Sequence, residues 1–152
     1  IYLAMPLVLI NGIAWSNGNY NPNLVLGMFI IIWVYDTGAY LFGRTFGKHK
    51  LFERISPKKT WEGAIGGGIT ALLVGVFVLA RYIPELTILQ WTIASLLIVI
   101  FGTFGDLSES LLKRSSGVKD SGNILPGHGG ILDRFDSALS AAGIFWIYLQ
   151  FI

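Results

Sequence analysis

Cysteine is absent from the chain, which excludes a disulfide framework and any thiolate chemistry. Charge is scarce too. Asp, Glu, Lys and Arg make up 13% of the 152 residues, about half of the roughly 25% found in an ordinary soluble domain. The net charge of +2 is too small to argue for nucleic acid, and no internal repeat of the kind paired transporter halves show is present. No basic n-region or small-residue cleavage site precedes the opening apolar run, so that run is not a signal peptide. The chain begins at Ile1 inside it, and the expectation is that residues 1–152 are the C-terminal part of a longer polytopic protein.

What is abundant is apolar. Hydrophobic residues make up 53% of the chain, with 5 Trp, 10 Phe and 6 Tyr. A helix needs roughly 20 mostly apolar residues to cross the hydrocarbon core. The runs Tyr2–Trp15 (incomplete), Leu24–Phe42, Trp61–Tyr82, Ile88–Leu112 and Ile131–Ile152 are the candidates. The expected fold is therefore all-α, a transmembrane helix bundle of about five spans. Loop 43–60, "GRTFGKHKLFERISPKKT", carries Arg44, Lys48, Lys50, Arg54, Lys58 and Lys59 against Glu53. Loop 113–130 carries Lys113, Arg114 and Lys119, whereas "SNGNYNPN" has no charge. Short loops rich in Lys and Arg stay cytoplasmic, which puts both basic loops on that side of a membrane. In "EGAIGGGITALL", Gly63 and Gly67 fall on one helix face, where small residues let two backbones approach. Thr60 is placed to cap the helix that begins at Trp61.

Carboxylates interrupt the apolar runs. Asp36 lies about twelve residues into its span, about 18 Å from the span's start. Its insertion there costs on the order of 3 kcal/mol. It either completes a polar site or balances a Lys of the basic loops. In "GDLSESLLKR", Asp106, Glu109 and Lys113 share a helix face with Ser110, and in "LDRFDSALS" Asp133 and Asp136 share another. Oxygen donors without Cys or paired His suit a hard cation such as Mg²⁺, so Asp106, Asp133 and Asp136 are the candidate metal ligands. Asp133 and Asp136 would also complement the positive end of their helix dipole. Between these segments, Lys113, Arg114 and Lys119 can neutralise phosphate oxygens. "PGHGG" brings the backbone N–H groups of Gly129 and Gly130 towards a ligand at a helix N-terminus. His128 would donate to phosphate, shape the loop or transfer a proton. Lys58 and Lys59 of "SPKKTWEG" hold the loop inside the cell or contact phosphate. Together these residues suit phosphoryl or nucleotidyl transfer onto a lipid.

The run "SLLKRSSGVKDSGNILPGHGGILDRFD", Ser110 to Asp136, resembles the signature of the phosphatidate cytidylyltransferase (CDP-diacylglycerol synthase) family without a departure. "DTGAYLFGRTFGKHKL", "SPKKTWEG" and "FGDLSES" resemble its other blocks in order. The resemblance implies transfer of CMP from CTP to phosphatidate with release of pyrophosphate, in an integral membrane protein of the bacterial inner membrane whose site faces the cytoplasm. It implies Mg²⁺ at Asp106, Asp133 and Asp136, with room for a monovalent cation such as K⁺, and leaves a homodimer open. On this reading Lys113, Arg114, Lys119 and His128 hold the phosphates of CTP and phosphatidate, with Asp120 and Glu109 supporting. The alternative enzyme is a CTP-dependent lipid kinase of the polyprenol type, which would release CDP instead of pyrophosphate. An ion transporter using Asp36 and Asp106 is the rival from another class. It fits poorly, because the acids gather at one membrane face.

Overall fold

The computed structural model describes residues 4–16, 18–53, 55–115, 117 and 132–152, with backbone only for 132–134. Among the described residues there are five helices and one small hairpin: α1 (Ala4–Ala14), α2 (Asn23–Phe46), β1 (Lys50–Phe52), β2 (Ser56–Thr60), α3 (Trp61–Tyr82), α4 (Ile88–Ser115) and α5 (Leu132–Leu149). Helices α2, α3 and α4 are long and apolar enough to cross a membrane, while α1 and α5 are shorter apolar helices. The helical, membrane-type architecture expected from the sequence is the one observed.

Loop 43–60 departs from expectation. Helix α2 runs on to Phe46, and the rest of the segment holds an antiparallel hairpin pairing Lys50 with Thr60 and Phe52 with Ser56. The register shifts between those pairs. Three residues are too few for an alternating pattern to stand out among so many bases, yet Leu51 turns inward between exposed Lys50 and Phe52. Pro57 is tolerated because both strands of a two-stranded sheet are edges. Likewise α4 extends to Ser115, so Lys113 and Arg114 belong to its last turn.

Thr60 ends the hairpin and caps α3: its Oγ1 accepts from the N–H of Gly63 at 3.2 Å. The Trp61 N–H donates to the His49 carbonyl at 3.0 Å, and the carboxylate of Glu62 lies 2.6 Å from His49 Nδ1. The open end of the hairpin is thereby fixed to the start of α3. Helix α3 turns π-helical over Gly75–Leu79, where Gly75 backs onto the buried Ser95 of α4.

The core lies at the other end of the bundle, around Trp91, Phe145, Ile13, Leu24 and Met28. Trp91 and Phe145 pack with ring centroids 6.3 Å apart, and the indole N–H of Trp91 reaches the Ile83 carbonyl at 3.0 Å, so the polar tip of the ring is satisfied. Gly27 on α2 leaves room for that ring. Outside, Val8, Trp33, Phe77 and Tyr82 are exposed, as side chains facing lipid would be.

Candidate active site

Two close helix crossings shape the site, one seating α3 and its hairpin against α2, the other seating α5 against α4. Where α2 meets α3, a Cβ on Gly63 would lie 2.6 Å from the Ala39 carbonyl oxygen, and one on Gly67 would lie 2.6 Å from that of Tyr35. The expectation of tight packing through these two glycines holds. Where α4 meets α5, Gly105 plays the same part: a Cβ on it would lie 3.0 Å from the Asp136 carbonyl oxygen.

In consequence Asp36 of α2, Asp106 of α4 and Asp136 of α5 line one cavity of about 610 Å³, rimmed by Phe29, Trp33 and Phe135. Asp106 acts electrostatically on both of the other carboxylates. Like charges gathered in a partly desolvated cavity need a cation nearby. One is supplied by Lys59 of β2, which pairs with Asp106 Oδ2 and also acts on Asp36. Ser110 donates to Asp106 Oδ1 at 3.3 Å, and the Ser137 N–H donates to Asp136 Oδ1 at 2.6 Å.

On the hairpin side lies a second chamber of about 220 Å³, lined among others by Tyr35, Asp36, Lys58, Lys59 and Thr60. Asp36 therefore lines both chambers. One turn beyond Asp106, Glu109 is buried, and the ammonium of Lys113 stands 3.4 Å from its Oε1. The side chains of Glu109 and Asp136 also meet, so α4 and α5 are joined at this level.

Of the residues singled out from the sequence, Asp106, Asp136, Lys59 and Ser110 are brought together. Lys58 is at the adjoining chamber, Lys113 is drawn to Glu109, and Arg114 is exposed on the last turn of α4. Asp133 lies in the first turn of α5, but its side chain is outside the described residues, as are Lys119, Asp120, His128, Gly129 and Gly130. Sequence reasoning did not find the pairing of Lys59 with Asp106, or Gly105 of "FGTFGD", which seats Asp136 beside Asp106. A glycine directly before an acid in an apolar span was the available signal for the second.

The donor set suits Mg²⁺ chemically: carboxylate oxygens, with buried oxygens of Glu109 beside them. Among the described residues no three His, Asp or Glu side chains are gathered closely enough to enclose an ion by themselves. Mg²⁺ is usually held by one or two carboxylates together with substrate phosphates, so Asp106 and Asp136 fit that ion.

Fold and site together define an α-helical membrane protein with an anion-and-cation chamber at one end of its apolar helices. The cytidylyltransferase family model matches residues 1–152, and the chain belongs to that family. It is similar to proteins named phosphatidate cytidylyltransferase. That of Staphylococcus haemolyticus is 55% identical over 113 residues, 74% of this chain and 44% of that protein. That of Haemophilus influenzae is 47% identical over 133 residues, 84% of this chain and 46% of that protein. The chain thus spans under half the length of these relatives.

Proposed function

We propose that the intact protein transfers CMP from CTP to phosphatidate, giving CDP-diacylglycerol and pyrophosphate. The observation that carries this reading is the meeting of Asp36, Asp106 and Asp136 in one cavity, with Lys59 of the adjoining chamber paired to Asp106, on a chain of the cytidylyltransferase family. The basic loops, of which the hairpin forms part, support a cytoplasmic site in a bacterial inner membrane.

The bond changes are simple. A phosphatidate oxygen attacks the α-phosphorus of CTP in line, the new P–O bond forms, and the bond to pyrophosphate breaks with its electron pair leaving on oxygen. Phosphatidate is already an anion near neutral pH, so no side chain need remove a proton. The work left to the protein is to hold two anions together. Lys58 and Lys59 offer ammonium donors in the hairpin-side chamber. Lys113 and Arg114, with Lys119 and His128, would take the remaining phosphates. Asp106 and Asp136, with Asp133, would hold Mg²⁺, which when bound supplies charge neutralisation on the phosphoryl oxygens.

Purified protein given labelled CTP and phosphatidate should form lipid-linked cytidylate and pyrophosphate only with Mg²⁺. Release of CDP would instead make it a lipid kinase. Chiral α-thio-CTP should react with inversion; retention would mean a covalent enzyme intermediate. Asp136→Asn should abolish turnover and still insert into membranes. Near-normal turnover of that variant at limiting Mg²⁺ would remove Asp136 from the metal site.

A further inference from the structure

Beside the hairpin-side chamber runs an apolar groove of about 280 Å³ between α3 and α4, walled by Phe52, Trp61, Ile65, Ile100 and Phe104. It shares Tyr35, Leu51 and Ala64 with the chamber that holds Lys58 and Lys59. We propose that this groove holds a fatty acyl chain of the anionic lipid substrate, whose phosphate lies at Lys58 and Lys59. The inference rests on the cytidylyltransfer reading and assigns that reaction its lipid subsite.

Three observations support it. First, the two spaces match the two ends of one amphiphile: ammonium groups line one and hydrocarbon the other, and a free nucleotide would use only the first. Second, Tyr35 is fixed at the border. Its hydroxyl lies 2.7 Å from Thr103 Oγ1, which is itself 2.7 Å from the Val99 carbonyl. Thr103 has one proton, so with its O–H given to Val99 it accepts from the phenol. The Tyr35 hydroxyl is thus satisfied by α4, and its ring stands between the headgroup and the chain. Third, Trp61, Ile65 and Phe104 are more than half exposed, at 53%, 58% and 59%. The groove therefore opens on the lipid-facing flank, where a chain slides in without leaving hydrocarbon. The larger cavity also opens, past Trp33 and Phe135, and is the rival entry for the lipid chain.

The test uses the intact protein in mixed micelles. Ile100→Trp fills the groove from α4 and leaves Lys58, Lys59 and the acids untouched. The ratio of kcat/KM for dioleoyl over dihexanoyl phosphatidate should fall about tenfold, the scale of hydrophobic-pocket discrimination. An unchanged ratio overturns the groove assignment. Should the wild-type protein transfer cytidylate to neither lipid, the activity reading fails, and a second measurement still decides the groove. Phosphatidate carrying a mid-chain diazirine should label peptides of α3 and α4 in the wild-type protein, and that labelling should be lost in Ile100→Trp. Labelling of α2 and α5 around Trp33 and Phe135 would overturn the assignment.

Discussion

Lys59 on the hairpin and Asp106 on α4, 47 positions apart in sequence, form an ion pair. Their side chains are 29% and 24% exposed, so neither is freely solvated and loss of one leaves the other poorly compensated. The pair ties the basic hairpin to the helix that carries the acids.

Lys59→Ala and Asp106→Ala should each destabilise the protein, and the double variant should lose less than the sum. Coupling between contacting charges runs from about 0.5 to 3 kcal/mol, read from denaturant unfolding in detergent. Strict additivity would mean that the two side chains do not interact in the folded protein.

The glycines of α3 make a sharper contrast. Gly67→Ala would put a Cβ 2.6 Å from the Tyr35 carbonyl oxygen and 2.7 Å from the Ala39 nitrogen, both backbone atoms that cannot turn aside. Helices α2 and α3 must separate, at a cost of about 1–3 kcal/mol. At the neighbouring Gly68 the nearest atom is Val99 Cγ1 at 3.8 Å. Gly68→Ala should be neutral or stabilising by up to about 1 kcal/mol, because alanine favours the helix. Unfolding of the two variants under one condition tests the pair; equal effects would refute the close crossing.

These contacts show what a sequence discloses and what it withholds. Gly63 and Gly67, the Thr60 cap and the acids on the faces of α4 and α5 follow from local spacing, because a helix repeats itself every few residues. The pairing of Lys59 with Asp106, the bond between Tyr35 and Thr103, and the opening of Asp36 onto the same cavity as Asp136 depend on how separate helices cross. No local period encodes them. The hairpin was hidden for another reason: its strands are too short, and too rich in lysine, to stand apart from a basic loop.

At the far end of the bundle, Glu85 Oε1 accepts from the side-chain amides of Asn21 at 2.5 Å and Asn23 at 2.7 Å. Burial raises its pKa, but these bonds outweigh burial and hold the carboxyl below its ordinary value of 4.5. A lowered folded-state pKa adds stability that is present above the unfolded value and is lost as pH falls through the folded one. Wild-type protein should therefore lose its thermal advantage over Glu85→Gln as pH drops below about 4.5. A gap that stayed constant from neutral pH to below that range would show that the clasp does not depend on ionised Glu85.

Asp36 gives the most direct test of the shared cavity. It lines the chamber with Lys58 and Lys59 as well as the cavity with Asp106 and Asp136, so its charge is felt by any cation bound at those acids. In a partly hydrated cavity, removing one such charge a few ångströms away costs on the order of 1 kcal/mol, about a fivefold rise in the Mg²⁺ concentration for half-maximal turnover. Asp36→Asn should show that rise, and Asp36→Glu, which keeps the charge, should show much less. Thermal unfolding separates this from simple disruption: a fold defect would lower stability in both variants and leave the Mg²⁺ midpoint in place. An unshifted midpoint in Asp36→Asn would confine Asp36 to balancing Lys59.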